Sequence, residues 1–125
     1  MSGVLLDTCV LIDCLRDRGA AVEFLRRIER RPSVSVVTVA ELHAGARNQT
    51  EERGIEVLLA PMLVRAIDLA IARLAGRFYR EYRRSHGVEM PDALIAATAE
   101  VHGARLVTRN VRHFPMLDDL VLPYH

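Results

Sequence analysis

Four oxygen-bearing side chains stand where an apolar run of the chain gives way to a helix or turn: Asp7 after Val4-Leu5-Leu6, Glu41 after Val34 to Val37, Asp92 beside Pro91, and Asn110 after Leu106-Val107-Thr108. In open parallel α/β sheets, sites form outside the carboxyl ends of the strands, where the chain turns into helices. If the strands carrying these residues are neighbours, three carboxylates and an amide oxygen face one pocket. Carboxylates that close repel one another, and one of them takes up a proton unless a cation is present. Hard oxygen ligands suit Mg²⁺ or Mn²⁺, and Mg²⁺ commonly keeps several waters while taking only one or two carboxylates. Such an ion turns a bound water into a nucleophile and stabilises the charge that builds on a phosphodiester during in-line attack.

Each residue also has an ordinary reading. Thr38-Val39-Ala40-Glu41 matches a capping box, in which the glutamate reaches back to a free backbone N–H. Asp92 suits the positive end of a helix dipole, Asp7 before Thr8 suits a helix cap, and Asn110 is a common turn residue. Their joint placement favours chemistry, because independent caps have no reason to occupy corresponding ends of neighbouring strands.

The elements that must position them follow from periodicity. Val4 to Leu6 reads as a buried strand that stops at Asp7-Thr8, and a helix over about Thr8 to Arg16 follows. Gly19 separates it from a helix over about Ala20 to Arg30, which Pro32 ends. Val34 to Val37 is β-branched and predicts a second strand, feeding a helix near Thr38. A short helix over Glu51 to Leu59 and a strand at Met62 to Val64 come next. The apolar stripe Ile67, Ala70, Ile71, Leu74, Ala75, Phe78 and Tyr82 predicts an amphipathic helix closed by Gly87, with Arg73, Arg77, Arg80, Arg83 and Arg84 on its other side. Pro91 falls in the first turn of a further helix that ends before Gly103. Leu106 to Thr108 is a fourth strand, Asn110 to Phe114 a turn, and Leu120 to Leu122 an edge strand. Strands alternating with helices predict an α/β fold with a mostly parallel central sheet of four to five strands flanked by helices, in one domain spanning residues 1–125.

The composition bounds the setting. All seventeen basic residues are arginine, and the formal net charge is only +1. The arginines cluster locally, at Arg26, Arg27, Arg30 and Arg31 and on the amphipathic helix, where they form either a solvated face or a phosphate-binding one. No apolar run approaches the ~20 residues needed to cross a bilayer, and no secretory leader is recognisable, so a cytoplasmic location is expected. Cys9 and Cys14 lie within one predicted helix, pointing in different directions, so neither a disulfide nor a metal pair is expected. His113 is nearest the proposed site and reads as structural.

The blocks Val4-Leu5-Leu6-Asp7-Thr8, Val37-Thr38-Val39-Ala40-Glu41-Leu42, Met90-Pro91-Asp92 through Ala99, and Leu106 to Asn110 with His113-Phe114 together resemble the PIN-domain ribonucleases of the VapC toxin type. The resemblance spans essentially the whole chain, in order. It implies a three-layer PIN-like fold and a toxin ribonuclease that cuts RNA with Mg²⁺ or Mn²⁺. Carried over by position, Asp7, Glu41 and Asp92 match the acidic catalytic set, with one metal held through Asp7 and Asp92. Thr8 matches the hydroxyl residue beside the first aspartate, a partner for ligand or substrate. Asn110 stands where many PIN domains have a fourth acid, so the pocket carries one negative charge fewer. A homodimer and a cognate VapB-like antitoxin, whose tail lies in an apolar groove and brings a cation toward the acids, are also implied. A phospho-accepting receiver domain would need a lysine, and this chain has none. A haloacid-dehalogenase-like phosphatase would need an aspartate where Cys9 stands. A PIN fold that has lost catalysis and serves as an RNA- or partner-binding module is the remaining alternative.

Overall fold

In a computed structural model that describes residues 3–125, the chain alternates strands and helices in the order β1 (Val4–Leu6), α1 (Thr8–Leu15), α2 (Gly19–Arg27), β2 (Ser33–Ser35), α3 (Val36–Ala44), α4 (Gln49–Leu59), β3 (Leu63–Arg65), α5 (Leu69–His86), α6 (Met90–His102) and β4 (Arg105–Val107). A 3₁₀ turn over Val111–His113 follows. The four strands form one sheet, ordered β3-β2-β1-β4, and every pairing in it is parallel. All strands therefore end at the same edge, and β1 lies between β2 and β4.

Successive strand residues face opposite layers, as the pleat requires. Leu6 and Val107 pack with Val10, Leu11, Leu42, Ile55 and Leu59 from α1, α3 and α4. Leu5 and Leu106 pack instead with Ile95, Ala96, Ala99 and Phe114. The apolar stripe of α5 closes over α6 through Ile71, Ala75, Ala93 and Ala97, where small side chains let the two helices approach closely. Gly87 and Gly103 take left-handed conformations just past α5 and α6, as helix stops of this kind require.

Several element ends differ from expectation for identifiable reasons. Val36 and Val37 belong to α3 and not to the second strand, because the Ser35 hydroxyl accepts the Val37 N–H at 3.0 Å and starts the helix there. The capping box expected from Thr38 and Glu41 is thus not formed; Glu41 lies beyond the first turn. Helix α2 ends at Arg27 and not near Arg30, its cap residue Ile28 already being extended. Strands β3 and β4 are each displaced by one residue from Met62–Val64 and Leu106–Thr108. The edge strand at Leu120 to Leu122 reduces to a single bridge between Val107 and Val121.

Asp13 of α1 ties the chain end to this frame. It is buried, its carboxylate accepts the Tyr124 hydroxyl at 2.6 Å, and it forms ion pairs with Arg18 at 3.2 Å and Arg109 at 2.6 Å. Burial pushes this carboxyl up, but the Tyr124 hydroxyl and the two guanidinium groups outweigh it and hold it below the usual aspartate range. A lowered folded-state value means stabilisation that is complete above the unfolded value of about 3.9 and is lost as pH falls through the folded one. Asp13→Asn should lower unfolding free energy at neutral pH by about 2 kcal/mol, less than a fully buried pair because both arginine side chains are about a third exposed. Urea titrations should show the full gap between wild type and variant above about pH 5, closing below about pH 4; a gap independent of pH would contradict the assignment.

Candidate active site

Asp7 and Thr108 each lie one residue beyond the paired positions Leu6 and Val107, so the parallel register sets them side by side at the carboxyl edge of the sheet. The Asp7 N–H donates to the Val107 carbonyl at 2.9 Å, extending the ladder by one bond. Asp7 is also the N-cap of α1, its Oδ1 accepting the Thr8 N–H at 2.8 Å. Its Oδ2 accepts the Thr108 hydroxyl at 2.7 Å and the Cys9 thiol at 3.3 Å. Burial, then the charge of Asp7, pushes the Cys9 thiol up to about 11, so it stays protonated and able to donate. Asp7 is only 5% exposed.

Glu41 reaches the same place from α3. The Thr8 hydroxyl donates to its Oε1 at 2.7 Å and lies 2.9 Å from the buried Thr38 hydroxyl. Thr8 thus touches both acids, Asp7 through its backbone and Glu41 through its side chain. Glu41 is exposed to solvent.

Asp92 enters from the first turn of α6, held by Pro91 and by the Glu89 N–H, which donates to its Oδ2 at 3.3 Å. Its position suggested a helix-dipole role, and in the structure it also completes a capping box with Glu89. His113 Nδ1 stands 3.5 Å from Asp92 Oδ2. Burial raises the Asp92 carboxyl above its ordinary range; the Glu89 N–H and His113 oppose this, while the charges of Asp7 and Glu89 add to it. Among these causes the charge of Asp7 comes after burial, the Glu89 N–H and His113.

The fourth predicted residue behaves differently. The Asn110 side chain is exposed at the rim, and its link to the site is through the backbone, whose N–H donates to Thr108 Oγ1 at 2.9 Å. Among the described residues, no three His, Cys, Asp or Glu side chains lie close enough to enclose a metal by themselves. A Mg²⁺ that keeps most of its waters would need only one or two of these carboxylates. Among the described residues, the donors to the Asp7 side chain are all neutral.

Sequence reasoning missed Thr108 and Thr38, which read only as strand and helix-start residues, and read Cys9 only as lacking a partner. Their signal was their level in the fold: each is a small donor within three residues of a strand end. His113 read as structural, and it lies beside Asp92.

Residues 4–119 match the model of the PIN domain family. The chain is 44% identical over 124 residues to Ribonuclease VapC10 of Mycobacterium tuberculosis, covering 97% of this chain and 92% of the relative. It is 40% identical to Ribonuclease VapC19 of the same organism, over 96% and 98% of the two chains. Its fold superposes on a chain of a toxin–antitoxin complex from Klebsiella pneumoniae with a TM-score of 0.85 and 30% identity, over 98% of both. Matched over residues 4–119 by the family model and over nearly its whole length by these ribonucleases, the chain belongs to the PIN domain family.

Proposed function

We propose that this protein is an endoribonuclease, the toxin of a toxin–antitoxin pair, and that it works through Mg²⁺ or Mn²⁺ with Asp7, Glu41 and Asp92 as its catalytic carboxylates. The observation that carries the reading is the bridge made by Thr8, which draws Asp7 and Glu41 together at the strand edge while the charge of Asp7 reaches Asp92. Similarity to ribonucleases over nearly the whole chain supports RNA as the substrate.

In this reading Asp7 and Asp92 would hold the ion, which would offset the negative charge of both carboxylates. The bound ion supplies an activated water and stabilises charge on the scissile phosphate. Glu41 has Oε1 occupied by Thr8 and is open to solvent, so its second oxygen is placed to accept a proton from water. Asn110, at the rim, presents its amide to the RNA strand.

The partner follows from the same geometry. A groove of about 860 Å³ runs between α1, α3 and α4, lined by Ile12, Leu15, Ala46, Gly54 and Ile55 among others, and Glu41 stands in its wall. An antitoxin segment lying there with its apolar residues down can carry a cation onto Glu41, so inhibition is electrostatic as well as steric. No helix among the described residues is long and apolar enough to cross a membrane, in keeping with a cytoplasmic role.

The purified protein should cut single-stranded RNA with Mn²⁺ or Mg²⁺ and stop on chelation. Asp92→Asn should lose at least ~10²-fold in kcat, which also excludes a contaminating nuclease. Because the Asp92 carboxyl is raised, its ionised form costs stability in the metal-free protein at pH 7. The same variant, whose asparagine can still cap, should therefore melt at a higher temperature than wild type without metal. Loss of activity with a lower melting temperature would point to damage and not to chemistry. For the groove, a Cβ on Gly54 meets nothing within 4 Å, so Gly54→Trp should fill it without clashing at the backbone. Calorimetric titration with the cognate antitoxin should show Kd weakened about tenfold or more; unchanged affinity would place the antitoxin elsewhere.

A further inference from the structure

Two short chains of hydroxyl groups end on the carboxylates of the site. In the first, the Asn110 N–H donates to Thr108 Oγ1 at 2.9 Å, and the Thr108 hydroxyl donates to Asp7 Oδ2 at 2.7 Å. A hydroxyl has a single proton. With the Asn110 N–H occupying a lone pair and the Cys9 sulfur at 3.7 Å, the carboxylate is the strong acceptor within reach of that proton. In the second chain, Thr8 gives its proton to Glu41 Oε1 at 2.7 Å, so the 2.9 Å contact between Thr8 and Thr38 is one in which Thr38 donates. Thr38 and Thr108 are both 0% exposed. Neither can touch RNA or a metal ion, and each has its hydroxyl aimed at the pocket from behind.

Buried hydroxyls are costly unless bonded, and an apolar side chain of the same shape would fill either position. The hydroxyls therefore need a reason beyond packing, and the carboxylates supply it. Oδ2 of Asp7 has two donors, the Thr108 hydroxyl at 2.7 Å and the Cys9 thiol at 3.3 Å, and the thiol is the weaker of the two. The Thr108 bond therefore does most to hold that oxygen, and it couples Asp7 to the backbone of Asn110.

We infer that Thr108 and Thr38 are positioning residues of this site: Thr108 locks Asp7 for metal binding, and Thr38, acting through Thr8, locks Glu41 for proton transfer. The inference rests on the metal-nuclease reading above and adds to it a division of labour. Loss of a partner behind a metal ligand typically weakens metal affinity or activity by about 10- to 100-fold. Loss behind Glu41 should instead act on turnover.

The test compares Thr108→Val and Thr38→Val, which delete the hydroxyl and keep the shape, with Thr108→Ser and Thr38→Ser, which keep the hydroxyl. In the metal-free protein, NMR should find the Asn110 amide exchanging about tenfold faster in Thr108→Val and near the wild-type rate in Thr108→Ser. Calorimetry should find Mn²⁺ affinity reduced about 10- to 100-fold in Thr108→Val. In Thr38→Val it should stay within about threefold while kcat on an RNA oligonucleotide falls about tenfold or more and KM changes little. Serine variants should recover each loss. Serine variants as impaired as the valine ones would overturn the inference, since the methyl groups would then be what matters. Unchanged Asn110 exchange and Mn²⁺ affinity in Thr108→Val would also overturn it and leave the nuclease reading standing. A wild-type protein that binds no Mn²⁺ and cuts no RNA would instead sink the nuclease reading.

Discussion

A carboxylate buried to 5% exposure has to be met by donors on nearly every side, and satisfying Asp7 constrains most of the architecture around it. Its Oδ1 needs the first turn of α1 to begin at Thr8, which fixes where β1 ends. Its Oδ2 needs β4 beside β1 in the register that sets Thr108 level with it. Its backbone N–H needs the Val107 carbonyl. A slip of one residue between β1 and β4 would exchange Leu5 and Leu6 between the two core layers and would also separate Asp7 from Thr108. Core packing and site assembly thus demand the same register, which is why a pocket built from distant segments forms reproducibly.

Two aspartates on α1's side of the sheet illustrate how acids of one type acquire different roles. Asp13 is paired with Arg18 and Arg109 and bonded to Tyr124, so its charge is answered within the protein and its carboxyl is held low. Asp7, six residues earlier, receives only a backbone N–H, a hydroxyl and a thiol. Neutral donors orient a carboxylate without cancelling its charge. Asp92 shows the consequence, since the nearby charge of Asp7 adds to burial in raising its carboxyl.

The sequence marked these candidate site residues more sharply than it marked the ends of the elements that carry them. Asp7, Glu41 and Asp92 could be picked out because each stands at a change of periodicity, and such junctions survive errors of a residue or two in the element ends. The ends themselves depend on local competition that composition does not resolve. Val36 and Val37 read as strand by propensity, and one hydrogen bond from Val37 to the Ser35 hydroxyl converted them to helix. Leu120 to Leu122 had the pattern of a strand and made one bridge, because the pairing edge of β4 is met only at Val121. The Asp13 network was invisible for a different reason. It joins residues 13, 18, 109 and 124, and nothing in their spacing announces contacts across more than ninety positions.

That hidden network bears on the pocket itself. Arg109 directly follows Thr108, whose hydroxyl donates to Asp7, and precedes Asn110. A guanidinium free at that point would be drawn to the unanswered charge of Asp7 and would occupy the place of a cation. Asp13 captures it first, with Nε 2.6 Å from Oδ2 and Nη2 donating to Oδ1 at 3.3 Å. The Tyr124 hydroxyl and Arg18 hold Asp13 in turn, and Arg18 stacks over the Tyr124 ring at 4.8 Å. The buried Asp13 therefore keeps the Arg109 guanidinium engaged in an ion pair, while the donors to the Asp7 side chain are a backbone N–H, a hydroxyl and a thiol. The stability of the chain end and the electrostatics of the pocket depend on the same four residues.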